Sequence, residues 1–377
     1  MSFFMKKILI LYGSYGGGHY SAAKSIKKYL DDNYNVETKI EDCIEYVNKL
    51  LNKLTTGAYK WMAKKAPGLW GRIYANSQRG IFSYISIKAN KMMAPKLQKL
   101  IEKEKPDIVV STHPFSSQMI NYLRKQGKIS CELVTILTDF APHDQWLIGH
   151  EFTKSFFVAN NNMKNYLINY GIDENKIFVT GIPLSDKFTK TFDKNEIYKE
   201  FNLDASQPVI LFFGGGEFGL GKKRTLEILD ALIRNLPTYQ IIAISGKNPK
   251  MNKKFKEVVE HSNSQNRVVV LDYTDKVAEL MSISFLVVTK PGGLTTSESL
   301  ASNLPILVIN PIPGQEEDNA EFLEKNNVGV WLKKKDEPSL VIKELFEKPE
   351  KLDEMRSNTS LLAKKYSTKN ICDIIMK

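Results

Sequence analysis

Two stretches of the 377-residue chain carry side chains whose types and spacing could hold a phosphorylated ligand. Lys290-Pro291-Gly292-Gly293-Leu294-Thr295-Thr296-Ser297-Glu298 follows an apolar run at residues 285–288 and precedes a helical stretch. A glycine turn between strand and helix exposes backbone amides, and the helix dipole behind them favours an anion such as a diphosphate. Glu298 is expected within about the first turn of that helix, where a carboxylate can accept two hydrogen bonds from a vicinal diol such as a ribose. An acidic residue in that place also stabilises the helix dipole, which needs no ligand. Pro311-Ile312-Pro313-Gly314-Gln315-Glu316-Glu317-Asp318-Asn319-Ala320 lies just past another apolar run and should face the same crevice. Gln315, Glu316 and Asn319 offer donors and acceptors suited to sugar hydroxyls; alone, they also describe a polar loop opening a helix.

These loops need a frame. Short continuous apolar runs mark strands buried on both faces of a parallel sheet. The first, Ile8-Leu9-Ile10-Leu11, leads into Gly13-Ser14-Tyr15-Gly16-Gly17-Gly18-His19 and a helical stretch beginning near Ser21. Strand, glycine turn and helix open a doubly wound unit. Further strands are expected at 36–38, 108–110, 133–137 and 155–158. A second set starts at 209–213, again with a glycine turn, Gly214-Gly215-Gly216-Glu217-Phe218-Gly219-Leu220-Gly221, and continues at 240–244, 267–271, 285–288 and 306–309. The pattern predicts an α/β chain of two Rossmann-like, doubly wound domains facing a central cleft. The expected division is a first domain at 1–185, a linker at 186–207, a second domain at 208–355, and a final helix at 356–377 able to cross back onto the first.

The chain is 42% hydrophobic and 25% charged, and its net charge is +11. That charge suits an anionic partner, whether nucleic acid, an acidic membrane surface or a phosphorylated substrate, and equally suits plain solubility. No nucleic-acid-binding module stands among the motifs, so nucleic acid is not expected as a partner. Cys43, Cys131 and Cys372 are far apart and fit neither a disulfide framework nor a zinc site. No signal-peptide pattern opens the chain, and no apolar stretch approaches the roughly 20 residues that span a bilayer. A membrane would be met from the cytoplasmic side, without crossing. Residues 45–95 interleave aromatic and apolar side chains, Trp61 and Trp70 among them, with lysines and arginines including Lys60, Lys64 and Arg72. That describes either an interfacial amphipathic region or a core with a wet cationic face.

Taken together, the loops at 290–298 and 311–320 resemble the donor half of inverting glycosyltransferases of the GT-B fold. The resemblance is strongest to the diacylglycerol glycosyltransferases of glycosyltransferase family 28, the monogalactosyldiacylglycerol synthases and processive diacylglycerol β-glucosyltransferases. Residues 13–19 look like that family's first glycine loop, which ends in histidine. Thr138-Asp139-Phe140-Ala141-Pro142-His143-Asp144-Gln145-Trp146 resembles its Thr-Asp…His…Trp block. Gly181-Ile182-Pro183 stands where the first domain ends, and Ser245-Gly246-Lys247-Asn248 where the second has a small-Gly-x-Asn turn. Each motif is weak singly, but the six occur in order over nearly the whole chain.

The resemblance implies transfer of a hexose, glucose or galactose, from a UDP-sugar to the hydroxyl of diacylglycerol, with inversion to a β-glycoside. The UDP-sugar is a substrate, no cofactor is implied and no metal is expected. His19 would be the general base, a role that suits a near-neutral imidazole; otherwise it is a helix-start histidine bonding backbone. Asp139 and His143 would lie on the acceptor side, orienting the base or the lipid hydroxyl, or holding their own loop together. Gly17, Gly18, Pro114 and Trp146 would also belong to the acceptor side, and His113 is as readily structural as functional. Gly215 and Gly216 would let backbone approach the donor phosphates. Tyr273 and Thr274 would flank the uracil, with Ser245 and Asn248 in the neighbouring turn. Pro291, Gly292, Gly293, Leu294 and Thr295 would hold the diphosphate, Glu298 the ribose, and Gln315 with Glu316 the sugar hydroxyls, their loop braced by Asn319. Residues 45–95, with Trp61 and Trp70, would meet an anionic membrane surface. Rival readings are N-acetylglucosamine transfer to the lipid-linked muramyl peptide of cell-wall synthesis, 2-epimerisation of UDP-N-acetylglucosamine on the same scaffold, and non-catalytic anion binding.

Overall fold

The computed structural model describes residues 5–14, 17–47, 81–214 and 221–377, with 81–87 in backbone only. Trp61, Trp70, Gly215 and Gly216 lie outside the described residues, as does most of the segment 45–95.

In the first half, strands β1 (Lys6–Tyr12), β2 (Val36–Asp42), β3 (Ile108–Ser111), β4 (Glu132–Ile136), β5 (Thr153–Val158) and β6 (Ile177–Val179) form one sheet in the order β2-β1-β3-β4-β5-β6. Every pairing in it is parallel. Helices α1 (Gly17–Asn33), α2 (Cys43–Val47), α3 (Ile81–Glu104), α4 (Pro114–Lys125) and α5 (Asn161–Asn169) connect or flank these strands. The continuous apolar run of β1 follows from cover on both faces. Ile8 and Ile10 pack on α1 through Ala23, Ile26 and Leu30. Leu9 and Leu11, pointing the other way, pack with Leu97 of α3 and Met119 and Leu123 of α4.

The second half repeats the scheme. Strands β7 (Val209–Phe213), β8 (Gln240–Ile244), β9 (Val268–Leu271), β10 (Ser284–Thr289), β11 (Ile306–Val308) and β12 (Gly329–Trp331) form a sheet in the order β12-β11-β10-β7-β8-β9, again parallel throughout. Its helices are α6 (Lys194–Glu200), α7 (Lys222–Asn235), α8 (Pro249–His261), α9 (Val277–Ile283), α10 (Gly293–Ala301), α11 (Gln315–Lys325), α12 (Pro338–Phe346), α13 (Pro349–Leu362) and α14 (Ser367–Ile375). In each sheet the winding reverses once, between β1 and β3 and between β7 and β10. Ligand crevices in doubly wound sheets form beyond the carboxyl ends of strands at such reversals. The loops after β1 and β10 are among those the sequence marks for chemistry.

Several elements differ from expectation. β6 and β12 are three-residue strands, each at a sheet edge, too short for an apolar pattern to announce them. β2 extends to Asp42 because, as the opposite edge, it tolerates the polar run Thr38, Lys39, Glu41. The linker region 186–207 contains a 3-10 turn at Asp186–Thr189 and helix α6. The chain end is two helices, α13 and α14, and the second lies against the first half. Ile371, Cys372 and Ile375 of α14 join the core beneath α1. The Ser367 hydroxyl donates to the Ile182 carbonyl at 2.8 Å, and that of Thr368 to the Leu184 carbonyl at 2.6 Å. Gly181 makes this possible: its φ is +88°, and a Cβ there would stand 2.5 Å from Cβ of Lys364.

The halves also share apolar surface. Leu137, Phe140, Trp146 and Ile182 form one buried cluster with Leu300, Val308, Ala320 and Phe322. Among the described residues no helix is long and apolar enough to cross a membrane.

Candidate active site

α1 begins at Gly17, four residues before the expected start, so the last glycines of the first loop are helical and His19 sits in the first turn. Its ring is held at one nitrogen. Nδ1 lies 2.6 Å from the Thr112 carbonyl oxygen and 3.0 Å from the Thr138 hydroxyl. A carbonyl only accepts, so Nδ1 carries the hydrogen and Nε2 is left with a lone pair. Burial lowers the ring's pKa to about 4, which keeps it neutral at physiological pH. The Thr112 hydroxyl in turn donates to the His19 carbonyl at 3.1 Å. The carboxyl ends of β1, β3 and β4 therefore converge on one imidazole.

Two nearby histidines have the opposite tautomer. His113 Nδ1 accepts from the Phe115 amide at 3.2 Å and caps α4, whose first residue is Pro114. His143 Nδ1 accepts from the Gln145 amide at 3.1 Å and caps the 3-10 turn Asp144–Trp146. Each ring that accepts through Nδ1 carries its hydrogen on Nε2. Burial holds both below the usual histidine range, His143 at about 4. Both are built as caps and donors, whereas His19 is built as an acceptor.

Asp139 does not touch the base. Its buried carboxylate accepts from the Gln315 side-chain amide and from the Trp146 indole. Burial pushes its pKa up to about 6, against the pull of those two donors. Contact with His19 comes from the preceding residue, Thr138. Trp146 is only 3% exposed, with its ring 6.4 Å from that of His19, and so backs the site from inside rather than facing lipid. Thr112 and Thr138 are the residues that sequence reading missed. Their only signal was position: Thr112 directly follows β3, and Thr138 lies two residues beyond β4.

Across the cleft, α10 presents its N-terminus to α1. A Cβ on Gly18 would be 3.8 Å from Cβ of Leu294, so the first turns of α1 and α10 meet at these two residues. Gly293 is required by close approach: a Cβ there would stand 2.0 Å from the Thr138 carbonyl oxygen. Asn319 is 1% exposed and spans the halves. Its Oδ1 accepts from the Phe140 amide and its Nδ2 donates to the Pro291 carbonyl, both at 3.0 Å. Asn319→Ala leaves both groups unpaired in a dry seam, and an expected loss of about 2–3 kcal/mol is read from the denaturant midpoint.

The sugar-loop residues are engaged as well. Gln315 holds Asp139. Glu316 accepts from the Ile312 amide at 2.6 Å and pairs with Lys290 at 3.4 Å, which fixes the loop's shape and offsets the lysine. Glu298 is the sixth residue of α10, in its second turn, and the first turn holds no acidic residue. Helix-dipole stabilisation therefore does not explain it. Its half-buried carboxyl has no hydrogen-bond partner among the described residues, and burial pushes its pKa up to about 8.

In the turn after β8, Ser245 is fully buried and donates to the Leu271 carbonyl at 3.1 Å, while Asn248 caps α8 by accepting from the Met251 amide at 3.2 Å. Both are spent on the turn itself. Beside them Tyr273 is 64% exposed, with Lys247 Nζ 4.9 Å from its ring centre. The Thr274 hydroxyl accepts from the Lys276 amide at 3.1 Å. Tyr273 and Lys247 thus form an exposed cation–ring pair. No group of three or more His, Cys, Asp or Glu side chains placed to hold a metal occurs among the described residues.

Residues 19–184 match the family model described as monogalactosyldiacylglycerol synthase, and residues 149–376 match that described as UDP-N-acetylglucosamine 2-epimerase. The chain is 30% identical to a processive diacylglycerol beta-glucosyltransferase of Staphylococcus epidermidis, over 97% of this chain and 91% of the relative. It is also 30% identical to one of Staphylococcus aureus, over 98% and 92%. Among solved structures, the S. aureus MnaA–UDP complex superposes with a TM-score of 0.65 at 16% identity, covering 98% of this chain and 96% of that one. MurG of Acinetobacter baumannii gives 0.64 at 15%, covering 98% and 99%. Likeness at such low identity speaks to the fold alone, and that fold is GT-B. The first family model starts at His19 and includes the block at 138–146; the second starts beyond both. On identity over nearly its full length, the chain belongs to the processive diacylglycerol beta-glucosyltransferase family of glycosyltransferases.

Proposed function

We propose that the chain transfers a hexose, glucose by the name its relatives carry, from a UDP-sugar to the hydroxyl of diacylglycerol, with inversion and without a metal. The observation that carries this is the tautomer of His19, whose Nε2 lone pair stands in the first turn of a helix facing the N-terminus of α10. In the proposed step Nε2 takes the proton from the acceptor hydroxyl. The freed oxygen bonds to the anomeric carbon as the bond from that carbon to the UDP oxygen breaks. Amides at the start of α10 and the helix dipole offset the charge on the departing diphosphate. Glu298 receives the ribose hydroxyls, and Tyr273 with Lys247 the uracil. Gln315 would exchange its bond to Asp139 for the sugar. Proton NMR of the glycolipid formed in the presence of EDTA checks the stereochemistry. A β-anomer supports the reading; an α-anomer, or no product without added divalent metal, would falsify it.

We also propose a peripheral seat on the cytoplasmic face of the membrane; the contact with an anionic surface is supported by α3. Lys88, Lys91, Lys96 and Lys99 are exposed on one side of that helix, around Met92, while Ala94, Leu97 and Leu100 are buried on the other. Each lysine near an anionic leaflet contributes about 1 kcal/mol. Replacing all four by glutamine is expected to weaken sedimentation with phosphatidylglycerol vesicles by at least about tenfold and to leave UDP binding intact. Unchanged sedimentation would remove α3 from the membrane contact.

A further inference from the structure

We propose that Thr138 is a positioning residue for His19, and that through it the donor half sets the base. This rests on reading His19 as the base. The Thr138 hydroxyl is one of two oxygens at Nδ1, 3.0 Å away, and the other is the Thr112 carbonyl at 2.6 Å. Among the described residues no carboxylate bonds Nδ1, and the one on the next residue, Asp139, is taken by Gln315 and Trp146. Neutral oxygens suit a base that must stay free. A carboxylate at Nδ1 would raise the resting pKa and favour the protonated ring. Two dipoles orient the ring and stabilise its charge once Nε2 has taken the proton.

The same residue touches the donor half. Its carbonyl is the atom that a side chain at position 293 would strike, at 2.0 Å. Two residues on, Asn319 ties the Phe140 amide to the Pro291 carbonyl, each at 3.0 Å. The N-terminus of α10 and the hydroxyl at Nδ1 therefore lie on one strip, residues 138–140. The donor helix in place puts that hydroxyl in place, so the base is aligned when the donor half is seated.

The test uses the full chain with diacylglycerol in phosphatidylglycerol vesicles and compares Thr138→Val, Thr138→Ser, His19→Ala and the double variant His19→Ala/Thr138→Val. Thr138→Val is expected to lower kcat about tenfold, a part of the 10²–10⁴ that a general base contributes. The donor KM and calorimetric UDP affinity should hold, and Thr138→Ser should restore most of kcat. In the His19→Ala background the valine should cost nothing further. A native kcat for Thr138→Val overturns the proposal while leaving the base reading intact. So does a loss of UDP affinity in step with kcat, a failure of serine to restore, or an undiminished loss in the double variant. Native activity in His19→Ala instead removes the base reading and the proposal with it.

Discussion

His19→Ala is expected to lower kcat for glycolipid formation by about 10²–10⁴-fold while calorimetric UDP affinity stays unchanged. The separation follows from placement. His19 belongs to α1, whereas the groups proposed to bind UDP belong to the second half. Its Nδ1 is engaged by Thr112 and Thr138, so what alanine removes at the cleft is one acceptor, Nε2. Burial holds the free ring at a pKa of about 4, so its proton-accepting form is essentially complete from about pH 6 upward. The kcat/KM profile, which reports the free protein, should therefore show no loss from this group between pH 6 and 8. A pKa so low makes a weak base, and a diphosphate beside the ring would raise it. The acid limb should accordingly lie higher for the donor complex than for the free protein. A variant that keeps its kcat but loses UDP affinity would move His19 from base to ligand.

Glu298→Ala is expected to weaken UDP binding by about ten- to a hundredfold, as for the loss of hydrogen bonds to a charged acceptor worth about 1.5–3 kcal/mol. The size should depend on pH with a definite sign. Burial raises the carboxyl's pKa to about 8, so near neutrality most of the free protein holds it protonated, and ligand binding must first remove that proton. Affinity of the native chain for UDP should rise with pH through this range and level off above about pH 8. The alanine variant should lack this rise, so the two curves diverge most at pH 8.5–9. Parallel curves would mean that Glu298 does not receive the ligand.

Where a residue's task was local, the sequence carried it. β1 was readable because both its faces are covered and four apolar residues run together. The turn at 290–293 was readable because strand, glycine and helix succeed one another within a few positions. The start of α1 was placed late because glycine is a poor helix former, yet Gly17 and Gly18 are that helix's first residues. Thr138 and Thr112 stayed hidden for a different reason. Their contacts with His19 span 119 and 93 positions, and nothing in a threonine advertises such a partner. The acceptor-side role expected of Asp139 rested on the resemblance of residues 138–146, and its carboxylate is held by neutral donors. Its partner Gln315 lies 176 positions away. Glu298, expected within about the first turn of α10, is its sixth residue, where a carboxylate gains little from the helix dipole.

The most direct test supplies the native chain with UDP-glucose and diacylglycerol in phosphatidylglycerol vesicles, with EDTA present, and analyses the extracted lipid by mass spectrometry. The account predicts hexosyl-diacylglycerol, formed in amounts that track released UDP. Unmodified lipid, together with conversion of UDP-N-acetylglucosamine to its 2-epimer in lipid-free buffer, would contradict it and make the donor half an epimerase.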